Sequence, residues 1–322
     1  MYAIQPDGDQ LRWQRSQDLA PPQGREVHIE VAWAGVNRAD LMQRAGHYPP
    51  PEGASSVLGL EVSGRVAAVG PDVEQLRRGQ PVCALLAGGG YAERVCVDER
   101  QVLPVPAGVD LREAAALPEV YATAWLNLFM EGALEPGERV LIHAAASGVG
   151  TAAIQLCREF DHPCFVTVGS DDKLAHCLAL GAKSGVNRHH GSFVEAVKAF
   201  GEINVILDPV GASYLADNQR VLAADGRLVL IGLMGGRHAE LDLGRMLMKR
   251  QRLIGSTLRA KSPQAKGKIL DQLARHVWPR IERGDLTPQI DAQWPIQEVE
   301  AAHRHVDANA NTGKVLLQVA EL

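Results

Sequence analysis

The sequence is short of the residues that staple, anchor or charge a protein. Its 322 residues contain five cysteines, Cys83, Cys96, Cys157, Cys164 and Cys177. The number is odd and no C-x-x-C pair occurs, which argues against a disulfide framework. There is no H-E-x-x-H, and His189-His190 and His303-x-His305 lack Cys or carboxylate partners at ligand spacing, so no metal is expected. Positive charge is not in excess: 33 Lys and Arg against 38 Asp and Glu leave a net charge of −5, without the basic surface that nucleic acid requires. No apolar run approaches the roughly 18–20 residues that span a bilayer, and the start at Met1 has neither a basic segment nor an apolar core. These absences predict a soluble, cytoplasmic protein with no nucleic-acid or membrane partner.

What is present is globular. Hydrophobic residues make up 46% and charged residues 22%, and the length corresponds to two domains of about 150 residues. Residues 1–117 read as short β segments broken by turns: Glu26–Trp33 alternates, Val62–Val69 is β-branched, and Tyr48-Pro49-Pro50-Pro51 and Gly88-Gly89-Gly90 are turn clusters. After Leu117-Pro118, apolar strands alternate with helix-length segments. Val140–Ala146, Cys164–Gly169, Ser184–Asn187, Val205–Pro209, Leu228–Gly232 and Leu253–Leu258 are the strands; one helix runs to about Phe160 and another covers Asp171–Leu180. Strands apolar throughout belong to parallel sheets covered on both faces, so 118–258 reads as a doubly wound α/β domain. The tail 259–322 holds a helix around Ala265–Ile281 and a strand Lys314–Val319, too little for a sheet of its own. It is expected to complete the first domain, giving an α/β protein in which a nucleotide domain is inserted in a split β-rich domain, with a cleft between them.

Val140–Gly150 carries the most information. A strand leads through a small-residue turn into a helix, with Ala145, Ser147 and Gly150 in the register of G-x-G-x-x-G. Small residues let backbone approach a pyrophosphate, Gly148 adds freedom, Gly150 lets the helix pack on the strand, and amides at the helix start attract phosphate. Two of the three glycines are replaced, so packing of small residues is the plain alternative; the repeated β-α-β setting favours a dinucleotide. Twenty residues beyond Gly150, where NAD sites place a carboxylate, stands Ser170. Lys173 lies one turn further and Arg188 follows the next strand, so NADPH is favoured over NADH, while Asp171 and Asp172 read as first-turn acids at a helix N-terminus.

Gly35-Val-Asn-Arg-Ala-Asp-Leu41, Gly46-His-Tyr-Pro-Pro-Pro51, Leu58-Gly-Leu-Glu-Val-Ser-Gly64 and Ala144–Gly150 resemble the zinc-free quinone oxidoreductases of the medium-chain dehydrogenase/reductase superfamily. Gly232–Gly236 and Asn311–Lys314 resemble most the p53-inducible branch of the zeta-crystallin relatives. The resemblance implies a GroES-like catalytic domain beside a Rossmann domain, NADPH as cofactor, a small-molecule quinone as substrate and a homodimer, with Arg252–Leu258 pairing across a two-fold axis. Where zinc enzymes of the superfamily carry Cys and His ligands, this chain has Asn37 and Leu60, although Glu61 persists.

By the same resemblance, Asn37, Tyr48 and Thr123 line the nicotinamide and substrate cleft. Ser147, Gly148, Val149 and Gly150 form the pyrophosphate turn. Gly169, Ser170, Lys173 and Arg188 fall at the 2′-phosphate, where relatives commonly have Tyr in place of Arg188. Leu233, Met234 and Gly235 approach the nicotinamide through backbone, and Gly313-Lys314 lies near the same cleft. Bland readings stay open: Tyr48 packs a proline-stiffened loop, Asn37 holds a turn, Thr123 is structural, and Met234 is a flexible wall. The implied reaction is metal-free quinone reduction by hydride or single-electron transfer. Its rivals are reduction of an enal or enoyl C=C bond and a non-catalytic NADPH-binding role.

Overall fold

The computed structural model describes residues 1–322. The chain divides into two units, Met1–Ala122 with Leu258–Leu322, and Thr123–Thr257. The first crossing falls inside helix Pro118–Trp125, which runs on as a wider, π-type turn over Leu126–Glu131.

The split unit is built on a seven-stranded sheet. Its strands lie in the order Ile290–Pro295, Lys314–Gln318, Glu26–Val36, Glu61–Val69, Pro81–Leu85 and Val102–Pro104, with Arg94–Asp98 also paired to Glu26–Val36. Register shifts at His28/Ile29 and Val31/Trp33 bend the long strand Glu26–Val36. Bent in this way, its Glu26–Glu30 end pairs with Arg94–Asp98 and its Trp33–Val36 end with Val315–Gln318. Val27, Ile29, Val31, Val62, Val82 and Leu317 fill the enclosed core. Helix Arg38–Arg44 follows the long strand directly, capped by Asn37.

The continuous unit is a six-stranded, wholly parallel sheet. Numbered in chain order, Val140–Ile142, Cys164–Val168, Ser184–Asn187, Ile203–Asp208, Leu222–Leu230 and Arg252–Gly255 lie 3-2-1-4-5-6, the Rossmann arrangement. The carboxyl ends of the first and fourth strands flank the point where strand order reverses, the place such sheets reserve for ligands. The fold is thus the GroES-like plus Rossmann α/β architecture.

Several elements differ from the sequence expectation. The strand expected over Val140–Ala146 ends at Ile142, because Ala144 turns the chain with φ of +48°. The helix expected over Ala265–Ile281 is two helices, Pro263–His276 and Trp278–Glu282, since Pro279 has no N–H to continue the ladder. The last parallel strand is Arg252–Gly255 and stops short of Leu258. The hairpin Tyr2–Asp7/Gln10–Arg15 and helix Val299–Asp307 were not expected.

Candidate active site

In the Rossmann unit, the turn after Val140–Ile142 leads tightly into a helix. Ser147 caps helix Gly148–Glu159, its Oγ accepting from Gly150 N at 3.1 Å. Gly148 and Val149 keep their amide N–H groups at the helix start, where unfilled donors and the macrodipole favour an anion. A Cβ on Gly150 would stand 2.5 Å from Ala145 Cα, so only glycine lets the helix sit this close. Serine at the replaced glycine position thus adds a side-chain cap, and the four residues Ser147–Gly150 come together at the helix start.

Gly169 follows the next strand, Cys164–Val168, and Ser170 caps helix Asp171–Leu180, its Oγ accepting from Lys173 N at 3.3 Å. The Arg188 guanidinium lies over Gly169, with Nε and Nη2 each 3.8 Å from where a Cβ would be. Arg188 also stands beside the Tyr214 hydroxyl, whose pKa burial raises and Arg188 lowers. Asp171 is engaged within the chain: its Oδ1 accepts from Asn187 Nδ2 at 3.0 Å. Gly169 and Ser170 after one strand thus lie close to Arg188 after its neighbour, with Lys173 one helical turn on and Ser170, not a carboxylate, directly before the helix.

Leu233, Met234 and Gly235 form an exposed turn held by backbone, Met234 N donating to Pro209 O at 3.2 Å and Gly235 N to Val210 O at 2.7 Å. Asp208 fixes that partner loop, accepting from Val210 N at 2.6 Å and Gly211 N at 3.1 Å. Behind it, Asn218 Nδ2 donates to Asp208 Oδ2 at 3.0 Å, and Asn218 Oδ1 faces His143 Nε2 at 2.7 Å. The Asn218 oxygen accepts, so His143 carries its proton on Nε2 and takes one from Thr167 Oγ1 at Nδ1, 2.8 Å away. Burial lowers His143 to a pKa of about 4 and raises Asp208 to about 6. Thr123 is partly exposed in helix Pro118–Trp125, its carbonyl accepting from Asn127 Nδ2 at 2.7 Å.

The GroES-like unit brings Asn37 and Lys314 together around Glu61. Glu61 Oε1 accepts from Asn37 Nδ2 at 3.0 Å and from Lys314 Nζ, and Oε2 accepts from Glu119 N at 2.8 Å. Lys314 also donates to Asn37 Oδ1 at 2.8 Å and Val36 O at 3.0 Å. An ammonium has three N–H bonds, and all are engaged inside this buried cluster. Lys314 is thereby fixed beside Asn37 and Glu61. Gly35 makes the room: a Cβ there would stand 2.7 Å from Glu61 Cγ and Cδ. Asn37 is held by backbone as well, its N–H donating to Asp40 Oδ2 at 2.8 Å, and Asp40 in turn accepts from Gly59 N at 3.0 Å and Tyr91 OH at 3.1 Å.

Tyr48 lies in the same unit, half-buried, and its hydroxyl is bonded to no group of the chain. The charges of Glu119 and Arg259 act on it, and Lys266 in turn interacts with both; none of the three is among the site residues expected from the sequence. Burial, then the Glu61 charge, lifts Glu119 to a pKa of about 8, and its Oε2 is buried without a partner. Burial lowers Lys266 to about 8 as well, with Leu86 O at 3.4 Å as its hydrogen-bond partner. The signal available for Glu119 was an acid set in an otherwise apolar run, Ala114–Trp125.

Two sequence families match these two units. Residues 23–107 match the family described as "Alcohol dehydrogenase GroES-like domain" and 148–275 that described as "Zinc-binding dehydrogenase". Quinone oxidoreductase-like protein 2 of Bos taurus is 33% identical over 303 residues, 93% of this chain and 86% of that protein. The chain belongs to the medium-chain dehydrogenase/reductase superfamily. Within that superfamily, the crystal structure of Escherichia coli quinone oxidoreductase complexed with NADPH matches with a TM-score of 0.86 at 25% identity, over 99% of both chains. The structure of CurK enoyl reductase matches with a TM-score of 0.86 at 28% identity, over 99% of both chains. The chain is accordingly an NAD(P)-dependent oxidoreductase with quinone oxidoreductase-like relatives.

The superfamily's other implied group is zinc, and the donors here do not fit it. No three His, Cys, Asp or Glu side chains gather as a metal-holding set. The Glu61 carboxylate is occupied by Lys314, Asn37 and the Glu119 amide. No helix is long and apolar enough to cross a membrane.

Proposed function

We propose that this protein is an NADPH-dependent, metal-free reductase of quinones. The observation that carries the cofactor choice is the Arg188 guanidinium over Gly169, with Ser170 in place of a ribose carboxylate and Lys173 one turn on. These residues suit a 2′-phosphate, and Ser147–Gly150 suit the pyrophosphate. Bound NADPH would supply the hydride.

A quinone is electrophilic already, and on gaining a hydride it becomes an aromatic hydroquinone anion. The chain need only orient the ring, exclude water and stabilise the oxygen on which charge develops. The free Tyr48 hydroxyl and the second N–H of the Asn37 amide are the donors proposed for that oxygen. Asn37 is fixed for the task by Glu61, Lys314 and Asp40. A proton from solvent then completes the hydroquinone, so no proton-transferring side chain is required. The likeness to an enoyl reductase supports a second reading, hydride addition to the C=C bond of an enal or enoyl thioester. Stopped-flow oxidation of NADPH decides between them: faster turnover with ortho-quinones is expected, and preference for the enal would transfer the assignment to C=C reduction.

A second copy of the chain is proposed as partner. Arg252–Gly255 is the outermost strand of the parallel sheet, and the preceding helix exposes Leu247 and Met248 at 77% and 78%. An unpaired edge beside such an apolar surface suits pairing across a two-fold axis.

A further inference from the structure

Arg259 is buried, 4% exposed, yet none of its hydrogen-bond partners carries a negative charge. Its Nε donates to Ala87 O at 2.8 Å, Nη1 to Tyr48 O at 3.1 Å and Nη2 to Gln43 Oε1 at 2.6 Å. The guanidinium carbon stands 5.3 Å from the centroid of the Tyr48 ring, inside the reach of a cation–aromatic attraction. One side chain thus ties the end of helix Arg38–Arg44, the Tyr48 loop and the segment after strand Pro81–Leu85. Three prolines follow Tyr48 and stiffen the loop, so whatever holds Tyr48 sets the aim of its ring.

The charge itself needs explaining. Burying a guanidinium against uncharged acceptors is expensive: burial lowers the Arg259 pKa, and the charges of Asp40 and Glu119, neither hydrogen-bonded to it, act in the opposite direction. An uncharged side chain would tie the same segments at a smaller desolvation cost. What an uncharged side chain cannot do is act on the phenol. Burial and the Glu119 charge raise the Tyr48 pKa, and Arg259 pulls it the other way. A phenol polarised toward its ionised form is the stronger hydrogen-bond donor to an oxygen gaining charge.

We propose that Arg259 is a positioning residue, holding the Tyr48 loop in place and polarising the Tyr48 hydroxyl as a donor to the substrate oxygen. The donor role rests on the reading of Tyr48 as a substrate contact; the hold on the loop does not. The two are separated by labelling the full chain with 3-fluorotyrosine, whose five tyrosines give five ¹⁹F resonances, Tyr48 being assigned through Tyr48→Phe. Arg259→Met is expected to move the Tyr48 resonance and shift its titration to higher pH. The same variant should lower kcat/KM for quinone about tenfold while the NADPH Kd from fluorescence stays within about twofold. Arg259→Lys, which keeps the charge without the fork, should leave the titration close to that of the parent. In the Tyr48→Phe background, Arg259→Met should cost less than about twofold more, because the group it acts through is gone. An unmoved resonance, or an equal tenfold loss in both backgrounds, overturns the proposal. A moved resonance with undiminished turnover in Tyr48→Phe overturns the substrate-contact reading and the donor role with it, and leaves the hold on the loop established.

Discussion

Glu61 and Lys314 form a fully buried ion pair across 253 residues of sequence. Each also bonds Asn37, so the pair sets the orientation of the amide proposed to face substrate. Removing one partner strands the other in a medium that solvates it poorly. Glu61→Gln should therefore destabilise the protein by about 3–5 kcal/mol in denaturant titration. Replacing both residues together, as in Glu61→Gln with Lys314→Met, should recover most of that loss. A double variant no better than the single one would show that the pair contributes net stability.

The phosphate end makes a cofactor-specific prediction. Lys173→Ala and Arg188→Ala should each weaken NADPH binding by about 1.5–3 kcal/mol, the range for charged hydrogen bonds, and leave NADH nearly unchanged. Fluorescence titration with the two dinucleotides measures both. Equal losses for both would detach these residues from the 2′-phosphate.

Acid should act on the Rossmann unit through two opposed groups. Burial sets Asp208 at about 6, above the ordinary 3.8. Between those values the folded chain holds a proton that the unfolded chain releases, so this group's stabilisation fades as pH rises. Burial sets His143 at about 4, below the ordinary 6.5. There the unfolded chain holds the extra proton, and stability grows with pH over nearly the same window. Asp208→Asn should therefore unmask a rise of about 1–3 kcal/mol between pH 4 and 6.5, and His143→Gln a fall of similar size. Denaturant midpoints across that window provide the check, and parental slopes in both variants would refute the account.

The exposed helix beside the outer strand predicts an assembly. Leu247→Glu with Met248→Glu should shift the particle from dimer to monomer by light scattering at micromolar concentration, with NADPH affinity unaltered. A parent that is monomeric under those conditions would dispose of the pairing.

Local pattern made much of this fold legible, and distance in sequence hid the rest. The six parallel strands could be read because each is a short apolar run, and Ser147–Gly150 because a tight turn admits only small residues. Arg188 could be noticed because a cation stood where an aromatic ring was expected. Arg259 and Lys266 could not, since charged residues normally mark solvent, and Glu119 offered only its place in an apolar run, because the partners of all three lie far along the chain. Glu119 bonds Glu61 across 58 residues, Lys266 reaches Leu86 across 180, and Arg259 reaches Gln43 across 216. The Lys314 ion pair was hidden for the same reason, its carboxylate partner Glu61 lying 253 residues away.

The interleaving of the two units bears on how the protein is made. Every strand of the parallel sheet lies within Thr123–Thr257, so that unit has all its partners before translation reaches the tail. The other unit waits for Lys314–Gln318, which fills the place between Ile290–Pro295 and Glu26–Val36. Until the ribosome delivers it, the Trp33–Val36 end of the long strand is left open-edged and the Glu61 carboxylate lacks its Lys314 partner, the condition in which nascent chains are most prone to stick to one another. A premature stop codon anywhere before Lys314 would make that interval permanent.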